Sequence, residues 1–427
     1  PPVILLHQSP TSSREYIPLI QEIAGKGFTV FSPDTPGNGM SDPFPGDEWK
    51  PMEEFADGVV NLMDELGITK APVYGFHTGG VCALALGLRH PDRFTVAIMN
   101  GYIQMDKDEV DEILQHYLPE VVPDWSGSHL TWTWSRFREQ VLFFPWFRKD
   151  LARRMNYDVP APAVTHLAVM DFLKCQDYRR AYRPAFLFDT VNAVKNMKGN
   201  MVITTAKTDV LGKYHALLKD VPSNITLLNP ANPDESKEQF IKILADNATS
   251  NTAPVLAQTK PMPGKIWQEY FQVDGGSIYA RRNTVFIHAS AGSSYSMDNF
   301  MKPVIGKRPV IAFDLPGNGE SDNPMGTTVT VEAQAKYLAQ AIKAAGYTEV
   351  DLFGYWGGCT VAVELAVQHP DLVKHVAAPT LMVLPDVVRD EYLARYTPTI
   401  ELEDYGVHWL KVWNMVRDQE LFSPWYM

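Results

Sequence analysis

Two glycine-framed turns are the places where this chain could do chemistry. Gly75-Phe76-His77-Thr78-Gly79 joins the apolar run 73–76 to the apolar stretch 81–88, and Gly354-Tyr355-Trp356-Gly357-Gly358 stands between the runs 350–353 and 360–367. Glycines at this spacing let a backbone bend sharply and leave the central side chain exposed. An imidazole in that position can serve as nucleophile or general base near neutral pH. An indole has neither capacity, so Trp356 marks the second turn as inert in acid-base chemistry. Cys359, three residues further on, reads as a buried structural thiol on the helix that follows.

The two turns belong to a repeat. Asp34, Pro36-Gly37-Asn38-Gly39 and Ser41-Asp42 return as Asp314, Pro316-Gly317-Asn318-Gly319 and Ser321-Asp322, and His90-Pro91-Asp92 returns as His369-Pro370-Asp371, a nearly constant offset of 280 and then 279 residues. His129, Trp134 and Arg138 return in the same way as His408, Trp413 and Arg417. Each copy alternates short apolar runs with longer amphipathic ones. In the first these are 3–6, 28–31, the helical stretch 52–66, 73–76 and 81–88; in the second, 284–287, 310–313, 331–345, 350–353 and 360–367. That is the βαβ signature of a mostly parallel sheet flanked by helices. The second copy also has a lead-in, 265–281, whose Gly275-Gly276 reads as a hairpin turn. Two complete copies at this offset would exceed the 427 residues present, so both ends are expected to be incomplete.

The order of His7-Gln8, Asp34 with its Gly-rich turn, and Gly75-Phe76-His77-Thr78-Gly79 between strand and helix resembles the α/β-hydrolase superfamily, in both copies. More narrowly, Leu5-Leu6-His7-Gln8-Ser9-Pro10, Ser12-Ser13-Arg14 and the His-Thr-Gly turn are similar to a group of uncharacterised hydrolase-like proteins. The resemblance implies two tandem α/β-hydrolase folds, each with a helical cap insertion. The expected division is a first copy at 1–248 (core 1–103 and 189–248, cap 104–188), a linker at 249–264, and a partial second copy at 265–427 whose cap begins near 387.

In that superfamily the central residue of the turn is a serine nucleophile, and two backbone amides form the oxyanion hole. The resemblance assigns those amides to Thr78 and Gln8 in the first copy and to Gly357 and Ala289 in the second. Both serines are replaced, by His77 and by Trp356. The superfamily's acid falls on Asp209, after the strand expected at 201–205. Its histidine should follow the strand at 225–228, yet no histidine occurs from Asn229 to Arg282. His215 reads as a surface histidine on the intervening helix. His7 would stand at the oxyanion loop, but its counterpart His288 beside the tryptophan site favours a loop-shaping role for both.

Two readings of His77 stay open. In one, a His77–Asp209 dyad makes the first copy a cofactor-free hydrolase or lyase acting on a small apolar or aromatic carbonyl compound. In the other, both copies are inactive and form a structural or ligand-binding subunit of a larger assembly. The cap is rich in tryptophan and phenylalanine from Trp125 to Phe147, with Arg136, Arg138, Arg148, Arg153 and Arg154 close by. That pattern suits either a cation-lined mouth for an aromatic or acidic ligand or a cap packed on the core with its arginines at the surface.

Composition narrows the field further. With 45% hydrophobic and 21% charged residues the chain is ordinary for a globular protein, and at roughly 150 residues per domain it should hold two or three units. A formal net charge of -12 gives no general pull toward nucleic acid or anionic membrane. Three scattered cysteines suit neither a disulfide framework nor a zinc site, and are compatible with an intracellular, reducing compartment, cytoplasm or organelle matrix. No metal site, cofactor motif or membrane span is expected. A small-molecule ligand is the expected partner, with protein association or homo-oligomerisation through the cap or the incomplete domain edges.

Overall fold

Alternating buried runs and amphipathic helices build two six-stranded sheets in the computed structural model. It describes all residues except 156, 251, 254–265, 283–284, 290–291, 306, 308, 327–328, 420, 423 and 427. The expected linker at 249–264 lies mostly outside the described residues. The chain divides into two compact units, Pro1–Leu256 with Arg395–Met427, and Ala257–Ala394. The C-terminal segment that repeats the cap sequence therefore belongs to the first unit. Among the described residues no helix is long and apolar enough to cross a membrane.

In the first unit the strands are β1 (Pro2–Leu6), β2 (Thr29–Phe31), β3 (Ala71–Phe76), β4 (Phe94–Asn100), β5 (Met201–Thr204) and β6 (Ile225–Leu228). They run in the order β2-β1-β3-β4-β5-β6, and every pairing is parallel. A parallel sheet is covered on both faces, which is why β1 reads Pro-Val-Ile-Leu-Leu without a polar residue and is buried throughout. β4 was not among the expected strands, although Phe94-Thr95-Val96-Ala97-Ile98-Met99 carries the β-branched, apolar signal of a buried strand. The strand order reverses at β1 and β3, and ligands of open α/β sheets bind outside the carboxyl ends of strands at such a switch point. His7 follows β1 and His77 follows β3.

In the second unit β7 (Trp267–Val273) and β8 (Gly276–Arg282) form the expected hairpin, with Gly275 at φ 82° in its turn. β9 (Val285–Ile287), β10 (Ile311–Phe313), β11 (Val350–Gly354) and β12 (Val373–Ala377) complete the order β12-β11-β9-β10-β8-β7. The hairpin is antiparallel to its neighbour β10, and the remaining pairings are parallel.

Both copies hold the loop after their first core strand in the same way. His7 is fully buried; its Nδ1 donates to the Gln8 carbonyl at 2.8 Å and its Nε2 accepts from the Thr35 amide at 2.9 Å. His288 repeats this with Ala289 and Leu315 at 2.6 and 2.9 Å. Nearby, Asp34 accepts from the amides of Ser13 and Met40, as Asp314 does from Ser294 and Glu320. In both His7 and His288 the two ring nitrogens are engaged and the ring is walled off from solvent, an arrangement suited to shaping a loop.

The segment expected as the cap of the first unit holds the helices Lys107–His116, Ser128–Leu142, Pro162–Lys174 and Arg179–Leu187. Helix Val407–Gln419 packs on Ser128–Leu142 with reciprocal contacts. The Trp134 indole N–H donates to the Asp404 carbonyl and that of Trp413 to the Trp125 carbonyl, each at 2.9 Å. Trp134 sits edge-on to His408 and Trp413 edge-on to His129, both at 4.8 Å between ring centroids.

His166 and His408 also meet at 3.2 Å, and His166 stacks on Trp409. Burial holds both imidazoles below their usual value of 6.5, His408 further through His166 and Lys411 and against the pull of Glu403. Neutral rings are thus favoured in the fold. Their contribution is fully present above about pH 6.5 and is lost as the pH falls toward the lower folded values. Stability of the first unit is expected to drop between about pH 7 and pH 5, measured by chemical denaturation. His166→Phe, which keeps the stacking, should flatten that dependence.

Candidate functional site

The turn after β3 is strained in a specific way. His77 has φ 47° and ψ −108°, a backbone conformation disfavoured for any residue with a side chain, and Trp356 at the repeat position has φ 50° and ψ −120°. Such a residue costs on the order of 1–3 kcal/mol and persists only where its surroundings impose it. Packing imposes it here. A Cβ on Gly75 would overlap the Gly79 carbonyl, and one on Gly79 would overlap the backbone of Leu6 and His7. Gly354 and Gly358 are equally confined, by the backbones of Gly358 and Cys359 and of Ile287 and His288. The helix Thr78–Arg89 is thereby pressed against the ends of β1 and β3, with the side chain of residue 77 lifted above the sheet.

His77 and Asp209, predicted from distant parts of the sequence, are brought together. His77 Nε2 lies 3.1 Å from Asp209 Oδ2. Asp209 is positioned by the turn after β5, where its Oδ1 accepts from the Leu211 amide at 2.8 Å. Burial pushes the Asp209 carboxyl up, but the charge and hydrogen bond of His77 and the Leu211 amide outweigh it, and the carboxyl is held below its usual 3.8. A carboxylate accepts only, so the Nε2–H donates and Nδ1 is left as the basic nitrogen. Phe76 stacks on the imidazole at 4.0 Å, and Gly101, at φ 94°, leaves room for the ring where a Cβ would strike it.

The imidazole opens into a cavity of about 280 Å³. His77, Asp209, Gln8 and Thr78 line its floor, Phe76, Ile103, Val210 and Leu211 its walls, and Tyr117, Gln140, Phe144, Tyr182 and Phe186 its cap side. Four of the expected site residues are therefore found together. His7 is not among the lining residues.

The two expected amide donors differ. Thr78 begins its helix, so its N–H is one of those a helix leaves unused. The Gln8 N–H is already taken: it donates to Glu15 Oε1 at 3.0 Å, while the Gln8 side-chain amide donates to Oε2 at 3.1 Å and the Thr11 hydroxyl to Oε2 at 2.8 Å. Burial pushes the Glu15 carboxyl above its usual value against the opposing effects of His7 and these hydrogen bonds. The sequence signals no such pairing, because it depends on how the loop after β1 closes.

Two side chains stand differently from expectation. His215 is buried at the end of its short helix Gly212–His215, with Nδ1 unpartnered among the described residues. Arg136 is buried, not a surface residue, because its helix turns it toward the rings of Tyr117, Phe172 and Tyr178. The Trp356 indole is 38% exposed. Cys359 is fully buried, its thiol donating to the Gly354 carbonyl at 3.2 Å, as a structural thiol would be.

A family model described as alpha/beta hydrolase fold matches residues 1–128 and 285–387, one segment in each copy. The chain belongs to that family. Its relatives include an uncharacterized hydrolase of Saccharomyces cerevisiae, 33% identical over 102 residues, which are 24% of this chain and 34% of the relative. A proline iminopeptidase of Heyndrickxia coagulans is 33% identical over 115 residues, 26% of this chain and 38% of that protein. The chain thus spans about a third of the length of these relatives. Among solved structures, a thermophilic esterase from Thermogutta terrifontis aligns over 57% of this chain and 88% of its own at 18% identity and a TM-score of 0.37. Epoxide hydrolase A from Mycobacterium thermoresistibile aligns over 57% and 91% at 13% identity and a TM-score of 0.42.

Proposed function

We propose that the first unit is a cofactor-free hydrolase or lyase for a small apolar or aromatic carbonyl compound, with His77 as general base and Asp209 as its orienting acid. The 3.1 Å His77–Asp209 pair on the floor of a largely apolar cavity carries this reading. The basic Nδ1 removes a proton from water, or from carbon next to the substrate carbonyl, and Asp209 stabilises the imidazolium that results. In the first case the hydroxide adds to the carbonyl carbon, the bond from that carbon to the leaving oxygen or carbon breaks, and the leaving atom takes the proton from Nδ1. In the second the C–H electron pair forms an enolate that expels a leaving group at the next carbon, and that group takes the proton. No acyl-enzyme forms.

Either route develops an oxyanion or an enolate oxygen that needs donors where its charge appears; Thr78 offers one, whereas the Gln8 amide already serves the Glu15 carboxylate. The relatives named as a hydrolase and an iminopeptidase support hydrolytic chemistry as the general class. In the second unit Trp356 supplies no base, and that copy is read as catalytically inactive.

Panels of small esters, lactones and β-keto acids test the reading in the purified chain. Turnover that depends on His77 supports it. Turnover unchanged in His77→Ala would remove the dyad from the mechanism. Ligand binding without turnover of any compound would favour the alternative of an inactive ligand-binding pair.

A further inference from the structure

One charge in the cap has no counterpart. Arg136 is 1% exposed, and among the described residues no carboxylate lies within ion-pair distance of it. Its guanidinium is surrounded by the rings of Tyr117, Phe137, Trp146, Phe172 and Tyr178, at 5.3–5.8 Å from their centroids. Cation–π contact offsets part of the cost of burying a cation, but Nε and one terminal nitrogen have no hydrogen-bond partner. A buried cation without a counter-charge is costly, and an anion placed near it recovers part of that cost.

The one polar contact of Arg136 among the described residues leads to the cavity. Its Nη1 donates to Gln140 Oε1 at 2.9 Å, and Gln140 lines the cap side of the cavity. Because a guanidinium has donors only, the carboxamide is fixed in one sense: the oxygen faces Arg136 and the NH2 is left to donate elsewhere. The hydroxyls of Tyr117 and Tyr182, also lining residues, lie 3.3 Å apart. Only one of them can donate to the other, so one hydroxyl hydrogen remains for a third acceptor. The cap end of the cavity thus presents surplus donors beside an unbalanced positive charge.

We propose that this end is a carboxylate subsite: the cavity takes small apolar or aromatic acids, with the ligand carboxylate accepting from Gln140 Nε2 and the Tyr117–Tyr182 pair. Arg136 acts behind them as a positioning residue, orienting the Gln140 amide and supplying the counter-charge. The inference rests on the cavity being the substrate site, and it extends the proposed substrate class to carbonyl compounds bearing a remote carboxylate. Binding at this end is independent of proton transfer at His77.

The test is calorimetric titration of the chain with 3-phenylpropionate and with the neutral 3-phenylpropanol. The acid is expected to bind at least about 10-fold more tightly, a difference of roughly 1.4 kcal/mol. Gln140→Leu should abolish that preference. Gln140→Glu places a carboxylate against Arg136; it should raise the denaturation midpoint and exclude the acid while sparing the alcohol. His77→Ala should bind the acid as the unmodified chain does, so that loss of turnover with binding intact separates the subsite from the catalytic reading. Equal affinity for acid and alcohol, failure of the acid to bind, or a preference that survives Gln140→Leu would overturn the proposal.

Discussion

His77→Ala is expected to lower kcat by about 10²- to 10⁴-fold on any substrate the first unit turns over, the contribution typical of a positioned general base. KM should change little, because the imidazole is one of many cavity residues and the rest of the lining is untouched. Asp209→Asn is the sharper companion. Asparagine keeps the shape, but with its oxygen on the Leu211 amide its NH2 faces His77 Nε2 and forces the other tautomer. Nδ1 is then no longer the free base and the charge that stabilises the imidazolium is gone; the loss should be of the same order. Because the Asp209 carboxyl is held below 3.8, it is ionised throughout the neutral and mildly acidic range. The stability it contributes is present above 3.8 and is lost only as the pH falls through its still lower folded value. A decline in turnover between about pH 7 and pH 5 therefore belongs to another group, not to protonation of Asp209. Steady-state kinetics of the three proteins across that range check both statements. Variants that keep more than a tenth of the rate would place the base elsewhere.

How far this site could be read from sequence depends on what kind of contact makes it. The repeat exposed the strand–turn–helix units because each is local: an apolar run, a glycine pair and a helix-period pattern recur together at a nearly constant offset. The strands at 73–76 and 225–228 and the helix at 52–66 match the observed elements to within a few residues. His77 and Asp209 were legible as partners through the resemblance to the superfamily, which places an acid after a late strand, and both follow strand ends of a parallel sheet. The cap gave no comparable guide. Whether Arg136 faces solvent or interior depends on which side of the helix Ser128–Leu142 meets Tyr178 and Phe172. Gln140, Tyr117 and Tyr182 become cavity residues only through that same docking. The capture of the Gln8 amide by Glu15 is likewise tertiary, since seven residues of loop must close before the carboxylate arrives. Local chemistry was readable, and the specificity of the pocket was not.

Gly79→Ala is expected to be among the most damaging single-atom additions in the first unit, with Gly75→Ala beside it. The added methyl has nowhere to go, since the atoms it meets are the Leu6 and His7 backbone at the end of β1, not the tip of a flexible side chain. The helix Thr78–Arg89 must retreat from the sheet, and that helix is buried from Thr78 through Gly87 against the main core. Overpacking costs typically 1–3 kcal/mol, and a rigid obstacle puts this case at the upper end, about 3 kcal/mol or more by chemical denaturation. Retreat also carries the Thr78 amide and the strained His77 backbone away from the cavity floor. Activity should therefore fall in the protein that remains folded, which separates this variant from a purely destabilising one. Gly358→Ala offers an internal control. It meets the backbone of Ile287 and His288 in the same manner, so it should destabilise the second unit similarly, yet leave turnover by the first unit intact because Trp356 contributes no base. If Gly79→Ala were tolerated with its activity unchanged, close approach of helix and strand would not be what holds His77 in its conformation, and the common φ of His77 and Trp356 would need another cause.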